Sequence, residues 1–271
     1  MIELVVDNEV VNVPEEINIG MYQQINLNPV KYKNPLQLIS LFTNMTVHEL
    51  KNLQKDQVEL IEGFLSSRLV FPDDNKLVMT FEHNGIEYGL ENVWSKLAFG
   101  AWVDFEVYCS DDKIYDNLHK IMAVLYRPVI SKDKKNPLKY KIAPYKSEEI
   151  EERAEIMKLV PVSIWLGASV FFFGNRKHIH NLYKEFFGID PDDTRENNEG
   201  LEDDAEMDTK GSTARFYFTL TYRLAKEDVT KLNQVENTNL YLCLNTASLM
   251  KDEYEKQKEE MKKMEKKTQM K

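Results

Sequence analysis

Residues 92–125 read NVWSKLAFGAWVDFEVYCSDDKIYDNLHKIMAVL, and this stretch decides the fold class. Trp94, Leu97, Ala98, Ala101, Trp102, Phe105, Tyr108 and Cys109 recur at the three-and-four spacing that places every member on one helical face. Asn92 can cap that helix. Asp111-Asp112 opens a second one, because carboxylates suit the positive end of a helix. Its apolar side holds Ile114, Leu118, Ile121, Met122 and Leu125. Two amphipathic helices joined by a short acidic turn predict an antiparallel pair.

Upstream, Leu36, Ile39 and Phe42 give a helical face, and Thr46-Val47-His48-Glu49 is a capping box. Val58, Ile61, Phe64 and Leu65 predict a helix ending near Leu69, and residues 71–75 break the pattern. Two hairpins flank these helices. Ile2, Leu4 and Val6 alternate, Asp7-Asn8 turns, and Val10, Val11 and Val13 return to Pro14. Leu77, Met79 and Phe81 alternate, Asn84-Gly85 turns, and Ile86, Tyr88 and Leu90 answer. Ile17 to Val30 is a connector with room for one short helix around Tyr22.

Downstream, Tyr126-Arg127-Pro128 ends the helix pair and a polar loop is expected to about Pro144. Ser147 caps a further helix. Ile179, Leu182, Tyr183, Phe186 and Phe187 form a stripe stopped by Gly188. Phe216, Phe218, Leu220 and Tyr222 alternate as a strand does. From Leu240 a last helix runs into a Lys/Glu-rich tail. There Met250, Tyr254, Gln257, Met261, Met264 and Thr268 fall at four-three steps. That seam is shorter than the ~3–4 heptads a dependable coiled coil needs, so a solvated helix is expected. The fold class expected is mainly α, α+β: a helical bundle with small antiparallel β-hairpins near the N-terminus and around residues 77–90. The segments expected are a hairpin and connector (1–34), a helical core domain (35–188), an acidic linker (189–212) and a helical C-terminal segment (213–271).

The chain has 271 residues, 42% of them hydrophobic, enough to bury a core without disulfide or metal staples. Its two cysteines, Cys109 and Cys243, point to a reducing compartment. Residues 189–212 hold ten acidic and two basic side chains, −8 of the net charge of −10. This is the composition of a solvated linker. No basic stripe with interleaved aromatics suggests nucleic-acid binding. No signal peptide is expected at Met1-Ile2-Glu3. Leu159 to Asn175 is uncharged, but its 17 residues reach about 25 Å as a helix, so a core helix is expected over a membrane span.

No Walker or dinucleotide fingerprint and no Gly-x-Ser-x-Gly elbow occurs. His178 and His180 stand two apart, so on a helix their rings diverge. Asp104, Glu106, Asp111 and Asp112 with His119 form the one candidate acid–base cluster, although capping accounts for Asp111 and Asp112. Cys109 beside His119 fits a thiol–imidazole pair, or a small hydrophobe at the end of the apolar stripe. The expectation is no catalytic residue, no cofactor and no metal. A groove between helices could take an amphipathic partner helix, with Trp94, Phe99, Trp102, Phe105, Tyr126 and Trp165 as its contacts.

The order of segments resembles a known family. Val13-Pro14-Glu15-Glu16-Ile17 precedes Tyr22, and Leu38-Ile39-Ser40-Leu41-Phe42-Thr43-Asn44-Met45-Thr46 leads into capped helices. Leu97 to Phe105 (LAFGAWVDF) precedes Asn117 to Pro128 (NLHKIMAVLYRP), and Asp228-Val229-Thr230-Lys231 stands late in the chain. This resembles the tail assembly chaperones of tailed bacteriophages, encoded near the tape measure protein. The acidic linker and the long lysine-rich end depart from a minimal version of that family. The resemblance implies a non-enzymatic protein in the host cell cytoplasm. It would coat an apolar helical tape measure chain until tail tube subunits replace it. It also implies helix over 213–224. The alternatives are a virion structural or packaged phage protein, an enzyme with an acidic site near His119, and a membrane-active protein using Leu159–Asn175.

Overall fold

Polar caps and positive-φ turns punctuate the chain. The computed structural model describes residues 2–6, 9–68, 76–110, 113–188 and 212–269. β1 (Ile2–Val6) and β2 (Glu9–Val13) pair antiparallel, with Val5 opposite Val10. The expected connector contains α1 (Ile19–Leu27), capped by the Asn18 carboxamide, which accepts from the Met21 N–H at 2.8 Å. α2 (Pro29–Tyr32) and α3 (Pro35–Phe42) start on prolines, whose missing N–H costs nothing in a first turn. α4 (Val47–Asn52) carries the capping box: Thr46 Oγ1 accepts from the Glu49 N–H at 3.3 Å, and Glu49 Oε2 from the Thr46 N–H at 2.7 Å. α5 (Lys55–Arg68) follows.

β3 (Thr80–His83) and β4 (Ile86–Leu90) turn through Asn84 at φ 50° and Gly85 at φ 75°, the positive pair that a tight hairpin needs. A 3-10 turn at Trp94–Lys96 precedes α6 (Phe99–Cys109), and α7 (Ile114–Leu125) comes next. Then come β5 (Tyr126–Asp133), β6 (Asn136–Ile142), α8 (Ile150–Met157), α9 (Val162–Leu182) and α10 (Lys184–Phe187), which Gly188 ends at φ 68°. α11 (Ser212–Leu224), α12 (Leu232–Glu236) and α13 (Leu240–Gln269) complete the described chain.

The fold class is the expected one, mainly α, α+β, with antiparallel hairpins at the N-terminus and around residues 77–90. One local expectation is corrected and one open reading is decided. The polar loop after Tyr126 is the hairpin β5–β6, which extends β3–β4 into a four-stranded sheet in the order β3-β4-β5-β6. Residues 213–224, whose alternation reads as strand by period alone but which the expected helical C-terminal segment includes, are helix: α11 buries Tyr217, Leu220 and Thr221 and exposes Phe218, a helical period. The Asp7-Asn8 turn, the break at 71–75, the Asp111-Asp112 opening and the acidic residues 189–211 lie outside the described residues.

The chain divides into two compact units that interleave in sequence. The first comprises Met1–Leu90 and Tyr108–Phe171. Its core is α7, whose Leu118, Ile121, Met122, Ala123 and Leu125 are all buried. The partner expected for α7 was the preceding helix; within this unit α8 and α1 pack on it. Ile19 N–H donates to the Val160 carbonyl at 2.9 Å and Val162 N–H to the Ile17 carbonyl at 2.8 Å, tying the start of α1 to the start of α9. The buried Arg153 donates from Nε to the Ala123 carbonyl at 2.8 Å. Gly89 has no Cβ because one would come within 2.6 Å of the Tyr140 ring.

The second unit comprises Glu91–Val107 and Phe172–Lys271. Phe99 N–H donates to the Thr238 carbonyl at 2.8 Å and Leu240 N–H to the Leu97 carbonyl at 2.9 Å, joining the entries of α6 and α13. Trp94, Trp102, Phe105 and Phe172 form its aromatic centre, with Phe105 and Phe172 ring centroids 4.0 Å apart. The first turns of α13 pack on α10 and α11.

Candidate functional site

The six aromatic residues expected to face a partner are core residues. Trp94, Phe99, Trp102 and Phe105 in the second unit are buried, and so are Tyr126 and Trp165 in the first. The expected single face capped by Asn92 is corrected: Ala101, Trp102, Phe105, Tyr108 and Cys109 lie on α6, whereas Trp94 sits in the 3-10 turn and Leu97 and Ala98 precede the helix. Trp102 donates from its indole to the Tyr217 hydroxyl at 3.2 Å, and Tyr126 donates from its hydroxyl to the Val78 carbonyl at 2.6 Å. Contact with a partner through these six is therefore corrected.

An apolar stripe does reach solvent on α13. Taking Leu240, Ala247, Tyr254, Met261 and Thr268 as one heptad position places Cys243, Met250, Gln257 and Met264 at the complementary one. The first members, Leu240, Cys243 and Ala247, are buried and anchor the helix in its unit. The same stripe then continues uncovered: Tyr254 is 62%, Met261 63% and Met264 67% exposed. Lys251 marks the change, donating to the Glu185 carbonyl at 2.5 Å at the end of α10. The seam expected from Met250 to Thr268 is thus the bare half of a surface whose other half, Leu240 to Ala247, is core.

The acid–base candidates separate. Glu106 is buried on α6, where Arg176 on α9 grips both its oxygens, from Nε at 2.7 Å and a terminal nitrogen at 2.9 Å. His180, one turn on, brings Nε2 within 3.4 Å. Burial alone would raise the Glu106 carboxyl, but the nearby His180 and Arg176 outweigh it and hold it below the ordinary range. The Tyr217 hydroxyl nearby is pushed far up by burial and by the Glu106 charge. This network is a largely buried strut in which Arg176 donates to both Glu106 oxygens. Its signal in the sequence was the pairing of one acid on an apolar helix with a cation four residues before a histidine.

His119 belongs to the first unit, where the Gln23 carboxamide meets its Nδ1 at 2.9 Å. Gln23 also donates to the Tyr115 carbonyl at 2.6 Å. Burial, then the charges of Lys158 and Lys120, push the imidazole down to about 4, so it is neutral at pH 7. Asp111 and Asp112 lie outside the described residues. His178 and His180 diverge as expected, with the buried Ile179 between them. Cys109 is half-buried, and burial pushes the Cys243 thiol up to about 11.

A pocket of about 410 Å³ opens in the second unit beside Lys226, Val235, Leu242 and Cys243. No carboxylate or imidazole lines it among the described residues. Among the described residues no three side chains are grouped to hold a metal ion, and no helix is long and apolar enough to cross a membrane. No protein family, curated protein or solved structure matches the chain.

Proposed function

We propose that this protein is a non-enzymatic phage assembly factor. In this reading it is a tail assembly chaperone that holds an amphipathic helical partner such as the tape measure protein in the host cell cytoplasm. The observation that carries the reading is the uncovered stripe of α13, Tyr254 to Met264, on a helix whose other end is fixed in the core. Covering a Met side chain is worth roughly 1.5–3 kcal/mol, so an apolar helix laid on this stripe gains several kcal/mol. The charged residues between, Lys256, Glu259, Lys262 and Lys263 among them, keep the helix soluble while the stripe is bare. The segment order that resembles the chaperone family supports the same role.

The test is co-expression with the neighbouring tape measure chain. The expected result is a soluble complex that the double substitution M261E/M264E dissolves. A tape measure chain equally insoluble, or equally unbound, with and without this protein defeats the reading. Mass spectrometry of purified particles adds a second arm. The chain should be absent from them; a fixed copy number would make it a virion component instead.

A further inference from the structure

We propose that the bare half of α13 is also a self-association surface, on which the same helix of a second copy lies antiparallel. This goes beyond the chaperone reading and does not depend on the identity of its partner. The buried half of α13 fixes its heptad frame. With Tyr254, Met261 and Thr268 at one core position and Gln257 and Met264 at the other, the flanking positions are filled by Lys258 and Glu265 on one edge and Glu260 and Lys267 on the other. All four of these flanking residues are exposed.

Two orientations place these charges differently. In a parallel pair in register, one edge of each helix faces the opposite edge of its partner. Glu253 then meets Lys258 of the second copy, but Glu260 meets Glu265, so attraction and repulsion cancel. In an antiparallel pair each edge faces its own counterpart. Setting Met261 against Met264 of the second copy puts Gln257 against Thr268. It brings Lys258 to Glu265 and Glu260 to Lys267, each twice by symmetry. Every flanking contact is then of opposite sign, and the two most exposed members of the stripe, Met261 and Met264, cover each other. Charge complementarity therefore selects a second copy, antiparallel, as the occupant. The overlap is short, so the dimer is weak and gives way to a partner helix that covers more of the stripe.

Sedimentation of the full chain across a concentration series tests this. The expected mass rises from 31.8 kDa toward twice that value by about 0.5 mM, and M261E/M264E weakens the association by about 100-fold while helix content is kept. Cysteine pairing tests the orientation. Under mild oxidation, a mixture of Q257C and T268C proteins should give a cross-linked dimer. Q257C alone should not, because its two copies lie 11 residues apart, about 16 Å along the helix. The unsubstituted chain, with Cys109 and Cys243, sets the background. A mass that stays at the monomer value up to about 0.5 mM overturns the proposal. Undiminished association of the double glutamate variant, or self-cross-linking of Q257C as fast as the mixture, overturns it too. Each of these leaves the tape measure experiment to be decided on its own.

Discussion

Arg176 holds both oxygens of Glu106, and the two residues differ in how they would survive separation. Glu106 is 4% exposed, whereas the Arg176 side chain keeps a quarter of its surface in water. Removing the arginine strands a carboxylate in the core; removing the acid leaves a cation that can turn outward. R176M should therefore cost about 3–5 kcal/mol and E106Q about 1–2 kcal/mol. The pH dependence separates them further. In the native chain the Glu106 carboxyl is held below its unfolded value, so its contribution is present above that value and lost as pH falls through the lower, folded one. In R176M burial acts with less opposition and raises the carboxyl, so the deficit shrinks as pH falls from 7 to 5. Urea unfolding at both pH values checks this; an R176M deficit unchanged with pH contradicts it.

Two glycines on α9 give a contrast that needs no charge. A Cβ at Gly167 would lie 2.1 Å from the Lys76 carbonyl oxygen, a backbone atom no rotamer change can move. A Cβ at Gly174 meets nothing within 4 Å. G167A should destabilise by about 1–3 kcal/mol or more through overpacking. G174A should stabilise by up to about 1 kcal/mol, the helix propensity gained. Thermal unfolding of the two variants should shift in opposite directions; a shared sign would show that the approach of residue 76 to α9 is wrong.

His119 makes the first unit acid-sensitive. Its folded value of about 4 is well below the ~6.5 of an unfolded histidine. The unfolded chain therefore takes up the proton first. Stability is fully present above pH 6.5 and falls as pH drops toward 4, by about 2 kcal/mol between pH 7 and 5. H119Q keeps a polar group near Gln23 but cannot titrate, so its unfolding curve should lose that part of the slope. A slope equal to that of the native protein would place the acid sensitivity elsewhere.

Where local chemistry sufficed, the sequence was readable. The Thr46–Glu49 box, the Asn84-Gly85 turn and the Gly188 stop were each set by residues a few positions apart. Where an element is held from far along the chain, the reading failed. β5 and β6 carry Lys132, Lys139 and Lys141, and Lys134 and Lys135 make the turn between them, a polar pattern that looks like a loop. They are strands because β4 supplies a ladder to β5. The spacing of Ala101, Trp102 and Phe105 marks a face of α6, but whether a face is core or contact surface depends on what else folds onto it. In the same way the seam of α13 was visible as a periodicity, while its division into a buried and a bare half required the positions of α10 and α11.

Tyr140 is the residue that converts this polar stretch into sheet. Its hydroxyl reaches the Met79 carbonyl at 3.0 Å and the Leu90 carbonyl at 2.8 Å, across the space that Gly89 leaves open. One donor serves two acceptors there; its loss takes a bond from each, although the Met79 carbonyl keeps the Leu90 N–H at 2.9 Å. Y140F should cost about 1–2 kcal/mol. Because the ring still packs against Gly89, the loss should appear locally, as faster amide exchange in β6 and at the ends of β3 and β4, with exchange in α7 unchanged. If exchange rises equally in α7, the hairpin unfolds only with the helical core and Tyr140 is not its separate clasp. If exchange in β6 does not change, the lysine-rich strand is held by its ladder alone.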